Sequence, residues 1–381
     1  MLRHNIGLAL YRNELEKLWV HRARVLVIAL ILIVLGGIYL VYNNQQSAQS
    51  MQQQTVSMMR SQNAKVRRQI QHSSGKTKAM LEKQLQMNEQ GVRQMLSQHQ
   101  TLSVSSQIKT LKGSLSHTPA ALQGSPRESL AQYRFMASHG IRSYNPTGNN
   151  GFRLVGQVFS NPALFVFALL GIGLGTDRIS SEIEGGTLGS LLLHAPYRIK
   201  MYLAKLLAAL TVIWAFMIAS AIGFFAVGSA VFGMGSAEIG HVVGIRVKIV
   251  PGAPGQVEVP VQAFHVLPQW SYDLLALLLA MIAIGGLVAL ALAISLFTRS
   301  TVLSLIVGAL LVISGGLSHL LGSLAVWDPV AQLTLMEDWT RKTTMQFTMH
   351  GFSLESGLVV TLTWAALAII LGLWYAKRLD V

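Results

Sequence analysis

Cysteine is absent from all 381 residues, which excludes disulfide scaffolds, thiolate catalysis, Cys-ligated zinc and iron–sulfur clusters together. Charge is scarce as well: Asp, Glu, Lys and Arg make up 12 % of the chain, roughly half of what soluble domains carry. Acidic residues are the scarcer sign, 16 against 30 basic, for a formal net charge of +14. The phosphate-binding pattern GxxxxGK(S/T) is missing, and so are HExxH and GxSxG. ATP binding by a Walker loop, zinc-dependent hydrolysis and serine hydrolysis therefore have no residues to rest on. The sequence predicts no catalytic residue, no metal site and no cofactor. Gly171, Gly173 and Gly175 form a glycine-rich string without the lysine or the strand that phosphate binding requires, and read as small residues that let membrane helices approach closely.

What the chain has instead is long apolar runs, with 51 % hydrophobic residues overall. A spanning helix needs about 20 of them, and six runs qualify: 25–42, 154–175, 202–232, 270–297, 301–322 and 357–376. The expected architecture is an all-α polytopic membrane protein of six spans. The first run follows His21-Arg22-Ala23-Arg24 but has no small-x-small site after it, and reads as an uncleaved anchor. Asn161 and Pro162 interrupt the second. Six spans put both termini on one side, and basic residues choose it: 12 Lys and Arg flank the runs on the terminal side, against four in the two shorter loops on the other, 233–269 and 323–356. Both the 1–24 segment and the 377–381 tail are expected in the cytoplasm. The 43–153 segment, with 14 Lys and Arg, lies outside, because long translocated segments are exempt from that bias.

Between the spans, apolar residues at helical spacing and a turn at His72–Gly75 predict an extracytoplasmic helical hairpin with arms at 47–71 and 77–112, its seam diluted by Asn88 and His99. Ser125, Pro126 and Glu128 mark the start of a further helix running to about Ser138. In loop 233–269 the period changes to two: Ile245, Val247 and Ile249 alternate with Arg246 and Lys248, and Pro251–Gly255 turns the chain into Val257, Val259 and Val261, a small β-hairpin. Loop 323–356 mixes tryptophan, leucine and phenylalanine with polar residues and is expected to dip back into the membrane interface. Leu8, Tyr11, Leu15, Leu18 and Trp19 share one face of a helix over residues 5–20, which would lie along the membrane surface. Asp273 and His319, at the outer ends of the fourth and fifth runs, read as structural groups at the interface.

The cytoplasmic loop 176–201 is the most structured connector. Gly185 and Gly186 break the entering helix, Thr187 caps a new short one, and Pro196 stands beyond its end. On that short helix Leu188, Leu191 and Leu192 fall within one arc, an apolar ridge suited to a groove on a soluble partner. These residues resemble the ABC-2 type permeases, the membrane subunits of type V ABC exporters. Their stretch of E-x-E-x-G-T-L, a leucine pair, a proline and then arginine and lysine is met here by Glu182, Glu184, Gly186, Thr187, Leu188, Leu191, Leu192, Pro196, Arg198 and Lys205. The interval from Pro196 to Arg198 is one residue shorter than in the family, and residues 43–150 lie outside the resemblance.

The resemblance implies a multi-pass protein of a bacterial or archaeal plasma membrane, working as a homodimer or heterodimer clamped to two copies of a separate ABC ATPase subunit. The short helix would be the coupling helix, with Glu182, Glu184, Gly186, Thr187, Leu188, Leu191, Leu192, Pro196 and Arg198 at the contact. Loop 323–356 would form a re-entrant outer gate. The expected function is the substrate path of an exporter, in contact with the lipid bilayer and not with nucleic acid, while ATP hydrolysis belongs to the partner. The long basic hairpin sustains an alternative, an ABC-type mechanotransmission or assembly protein that acts through its outer helices. The substrate is not legible.

Overall fold

The computed structural model describes residues 5–97, 102–117, 123–146, 148–160, 163–186, 198–245, 264–340 and 352–378. Helix α1 (Asn5–Gln71) runs unbroken for 67 residues, about 100 Å at 1.5 Å per residue. It merges three expected segments, the 5–20 helix, the first span and the first hairpin arm, because no proline or turn-forming cluster stands between them. After a turn at His72–Ser74, α2 (Gly75–Ser97) folds back on α1. Val56 and Val92 are buried in the seam, Asn88 donates to Asn63 at 3.1 Å, and Arg67 pairs with Glu89 at 2.6 Å. Among the described residues the second arm runs to Ser97, and it does not continue to 112. The chain passes instead into β1 (Leu102–Ser103) and α3 (Val104–His117), because Val104 is buried in a separate small core with Met136 and Ile239.

Helix α4 (Gly124–Ser138) starts ahead of the expected serine cap, with Gln123 at the cap position and no side-chain cap bond. Strand β2 (Ser143–Tyr144) pairs antiparallel with β1. The second apolar run is not one helix but two, α5 (Gly151–Ser160) and α6 (Leu164–Glu184). Asn161 and Pro162 lie between them, outside the described residues, and a proline both removes a helical donor and clashes with the preceding turn. Helix α6 continues nine residues beyond the expected end at 175.

Helix α7 (Arg198–Phe232) is followed by β3 (Gly240–Val243) and β4 (His265–Pro268), paired antiparallel with Val243 opposite His265. The expected β-hairpin residues at 246–263 lie outside the described residues, and the strands seen are those that flank them. Helix α8 (Gln269–Thr298) ends at Arg299, whose φ of 53° is left-handed, and α9 (Thr301–Gly316) follows. Helix α9 stops short of the expected 322, and in its last turn Gly315 lies against Val330, closer than any side chain would allow. The chain goes on in 3-10 turns at Ser318–Leu320 and Gly322–Trp327, then α10 (Leu335–Thr340) and α11 (Leu354–Lys377). Ser353 and Ser356 form a reciprocal cap at the start of α11.

Among the described residues five helices, α1, α6, α7, α8 and α11, carry stretches long and apolar enough to cross a membrane, the pattern of a multi-pass membrane protein, and the described strands form two small antiparallel sheets. Helix α9 is apolar but has 16 residues, about 24 Å against a hydrocarbon layer of about 30 Å. Helix α8 is the axis of the bundle. It is apolar on all sides, as a helix enclosed by others must be, and Ala276, Ala280, Ile284, Leu287, Val288 and Leu292 are buried along it. Helix α6 crosses it closely: a Cβ at Gly175 would lie 2.7 Å from the Ala291 Cβ, and one at Gly171 would lie 3.1 Å from Val288. Gly173 has nothing within 4 Å of such an atom, so two glycines of the string serve helix approach and the third does not.

Helices α1 and α7 lie side by side where Val34 meets Gly223, Gly37 meets Phe224 and Tyr42 meets Phe232. Nearer its start, the Tyr11 hydroxyl lies 3.0 Å from Thr211 Oγ1. The 23 residues of α1 from Tyr11 to Val34 thus accompany only 12 of α7 from Thr211 to Gly223, so the first turns of α1 bend across α7.

Candidate functional site

Ionisable groups gather where the first turns of α1 meet the end of α6 and the start of α7, the two helices that flank residues 187–197 in the chain. Lys205 sits in the second turn of α7 and is fully buried. Its ammonium lies 2.7 Å from Glu182 Oε1 on α6 and 3.1 Å from Glu14 Oε2 on α1. Lys17, one turn beyond Glu14, reaches the same two carboxylates at 3.2 and 3.3 Å. Two acids and two bases pair within this cluster, and the Arg178 guanidinium nearby is attracted to Glu14 and Glu182 as well; pairing of this kind is the condition for keeping such groups out of water. Arg22 adds an ion pair to Asp177.

Burial alone would raise the Glu14 carboxyl, but the Lys205 and Lys17 ammonium groups outweigh it and hold its pKa below the usual carboxylate value. For Lys17 burial would lower the pKa, and Glu14 and Glu182 together raise it above the usual value. A depressed acid contributes stability that is present above its unfolded pKa and lost as pH falls through the folded one; a raised base contributes stability that is lost as pH rises through its folded value. Thermal unfolding followed by tryptophan fluorescence in detergent should therefore show no contribution from these groups to any change between about pH 5 and pH 10, given unperturbed values near 4.3 and 10.4. Below about pH 4 stability should fall, and that fall should be smaller in Glu14→Gln. An equal acid loss in the variant would remove Glu14 as its source.

Glu184, the last residue of α6, accepts hydrogen bonds from the Thr301 backbone at 3.0 Å and the Thr301 hydroxyl at 2.7 Å. An exposed carboxylate at the start of α9 also complements that helix's dipole. Gly186 follows α6 with a φ of 66°, a conformation that favours glycine. Arg198 opens α7 and donates to the Lys377 carbonyl of α11 at 3.4 Å. Of the expected contact residues, Glu182, Glu184 and Arg198 thus have partners within this chain. Thr187, Leu188, Leu191, Leu192 and Pro196 lie outside the described residues.

Sequence reasoning missed Glu14, Lys17 and Asp177, and placed Lys205 only as the basic end of a motif. A signal was available, since Lys205 stands inside the apolar run 202–232, where an ionisable side chain calls for a named partner. At the opposite end of the bundle, Gln269 donates to buried Asp273 at 2.7 Å, its own Oε1 lies 2.5 Å from His241 Nε2, and the His241 ring stacks on Tyr272 at 4.4 Å. This chain of bonds ties β3 to α8. The side chain of His319 is outside the described residues.

Residues 123–381 match a family described as a protein of unknown function, DUF2705. The match covers more than half of the chain, which therefore belongs to that family. No curated protein matches the chain. The matched region begins after α3, so α1 and the hairpin it forms with α2 precede it.

Proposed function

We propose that this DUF2705 member is the membrane permease subunit of an ATP-driven ABC exporter, coupled through loop 187–197 to a separate ATPase. The observation that carries the reading is how the loop is held. Helix α6 enters it and α7 leaves it, and within two or three helical turns of both ends the largely buried Glu14–Lys17–Glu182–Lys205 cluster locks α6, α7 and α1 together. A short segment bearing Leu188, Leu191 and Leu192 is thus mounted on a rigid three-helix base, and a push on it moves spans instead of being lost in a slack connector. Glu182, Glu184 and Arg198 act in this reading as the loop's internal anchors, with the apolar ridge as the surface offered to the motor. The permease supplies the path, and nucleotide binding in the partner shifts the bundle between two openings.

Affinity purification of the intact protein from its native membrane should bring down an ATPase, and Leu188→Asp or Leu192→Asp should remove it, because a buried charge without a partner abolishes a helix-in-groove contact. Retention of the ATPase by both variants defeats the proposal.

One observation favours a second reading, mechanotransmission. Helix α1, bent in its first turns, joins the ion cluster to the tip of the hairpin in a single helix of 67 residues, so a displacement at Glu14 would be carried toward Gln71 without crossing a flexible joint. Replacing residues 47–97 by a short Gly/Ser linker separates the two: export should largely survive under the first reading, and all activity should vanish under the second.

A further inference from the structure

Where α1 bends away from α7 it leaves a groove of about 640 Å³, lined by α1 from Arg12 to Leu30 and by α7 from Thr211 to Ala219. That volume falls within the roughly 300–1,000 Å³ of small-molecule sites. Its polar lining side chains, Arg12, Glu16 and Thr211, all sit at the end nearer the N-terminus and are already engaged: Arg12 with Glu16 at 3.0 Å, Thr211 with Tyr11. The rest is apolar, and Trp19 and Val20 on its wall are 67 % and 75 % exposed.

Three features specify what would fill it. The groove runs into the apolar stretch of α1 that begins at Val25, so its deep half, with Leu26, Leu30 and Phe216, opens toward hydrocarbon and not water. The α7 wall from Thr211 to Ala219 is about 12 Å long at 1.5 Å per residue, close to the roughly 15 Å of one hydrocarbon leaflet. An occupant of that length enters from one leaflet and does not cross the bilayer. At the shallow end, Arg24 stands on the turn between the lining residues Val20 and Val27. It is exposed, and among the described residues it has no acidic partner. A fixed cation at headgroup depth beside an apolar slot of leaflet length is complementary to a negatively charged amphiphile.

We infer that the groove is a binding site for one anionic phospholipid from the leaflet on the N-terminal side of the bundle, with an acyl chain along Leu26, Leu30, Ala215 and Phe216 and the phosphate against Arg24. The site would fix the angle between the first turns of α1 and its span, since the chain fills the inside of the bend. This inference does not depend on the exporter reading, only on α1 and α7 crossing a membrane.

Native mass spectrometry of the full-length protein, purified in mild detergent and supplied with equal amounts of phosphatidylglycerol and phosphatidylcholine, tests it. The wild type should retain one phosphatidylglycerol per chain. Arg24→Ala should lower the preference for phosphatidylglycerol about fivefold, the effect of one basic residue near a membrane surface, and Ala215→Trp, at an exposed position on the α7 wall, should remove the retained lipid. Equal retention by the wild type and Ala215→Trp overturns the inference, as does loss of a second protein copy with lipid retention unchanged, which would assign the groove to a dimer contact. Should the tryptophan variant fail to fold, phosphatidylglycerol with a photoreactive acyl chain, used on the wild type, decides. Crosslinks within 23–30 and 212–219 support the site, and crosslinks confined to other helices overturn it.

Discussion

Lys205→Met is expected to be among the most damaging single substitutions outside the bundle axis, destabilising the protein by about 3–5 kcal/mol, the cost of breaking a buried ion cluster by removing one partner. The lysine is fully buried, and its loss leaves Glu14, also buried, and Glu182 facing each other with the half-exposed Lys17 as their remaining ion-pair partner among the described residues and the Arg178 guanidinium as the nearby positive charge. The damage is expected to be conditional. Adding Glu14→Gln to Lys205→Met removes the surplus negative charge and should recover part of the loss, a coupling that additive contributions would not give. The thermal midpoint in detergent should fall steeply in the single variant and less in the double one. If the double variant falls by the sum of the two singles, the four groups do not act as a unit, and the rigid base proposed for loop 187–197 loses its support.

That cluster also marks where reading the sequence reached its limit. Apolar runs announced the membrane helices because burial in lipid demands about 20 apolar residues in a row wherever a helix crosses. The turn at His72–Gly75 announced the hairpin for a similarly local reason, and Asn88, expected as a flaw in the seam, proves to be matched by Asn63 across it. Lys205 inside an apolar run called for a partner, but nothing local said which residues supply it. Lys17 lies 165 positions from Glu182, and each looks like an ordinary surface charge on its own helix. The same limit misplaced helix boundaries. Continuity of α1 depends on what is absent between its three segments, whereas the end of the second hairpin arm is decided by Val104 finding Met136 and Ile239. Glu182 and Glu184 were legible as important residues of the loop; that they bond inward, to Lys205 and Thr301, required the positions of α7 and α9.

Gly175→Leu should have a comparable effect for a different reason. At this crossing even a Cβ would approach the Ala291 Cβ to 2.7 Å, the Val288 carbonyl oxygen to 3.0 Å and the Leu292 amide nitrogen to 3.3 Å. Two of these three are backbone atoms of α8, the helix around which the others pack, so the clash cannot be relieved by rotating a side chain. Helices α6 and α8 must separate. Separation would also pull Ser295 Oγ away from the Ile179 and Ser180 amides it accepts at 3.3 and 3.0 Å. Overpacking of a well-filled core typically costs about 1–3 kcal/mol, which is the range expected for Gly175→Ala, and leucine should exceed it enough to prevent recovery of folded protein from the membrane. Gly173, two residues earlier on the same helix, supplies the control. Nothing lies within 4 Å of the Cβ it would carry, so Gly173→Leu should leave the size-exclusion profile and thermal midpoint near those of the wild type. Equal tolerance of leucine at both positions would mean that α6 and α8 do not meet at Gly175, and the placement of α6 against the axis of the bundle would have to be abandoned.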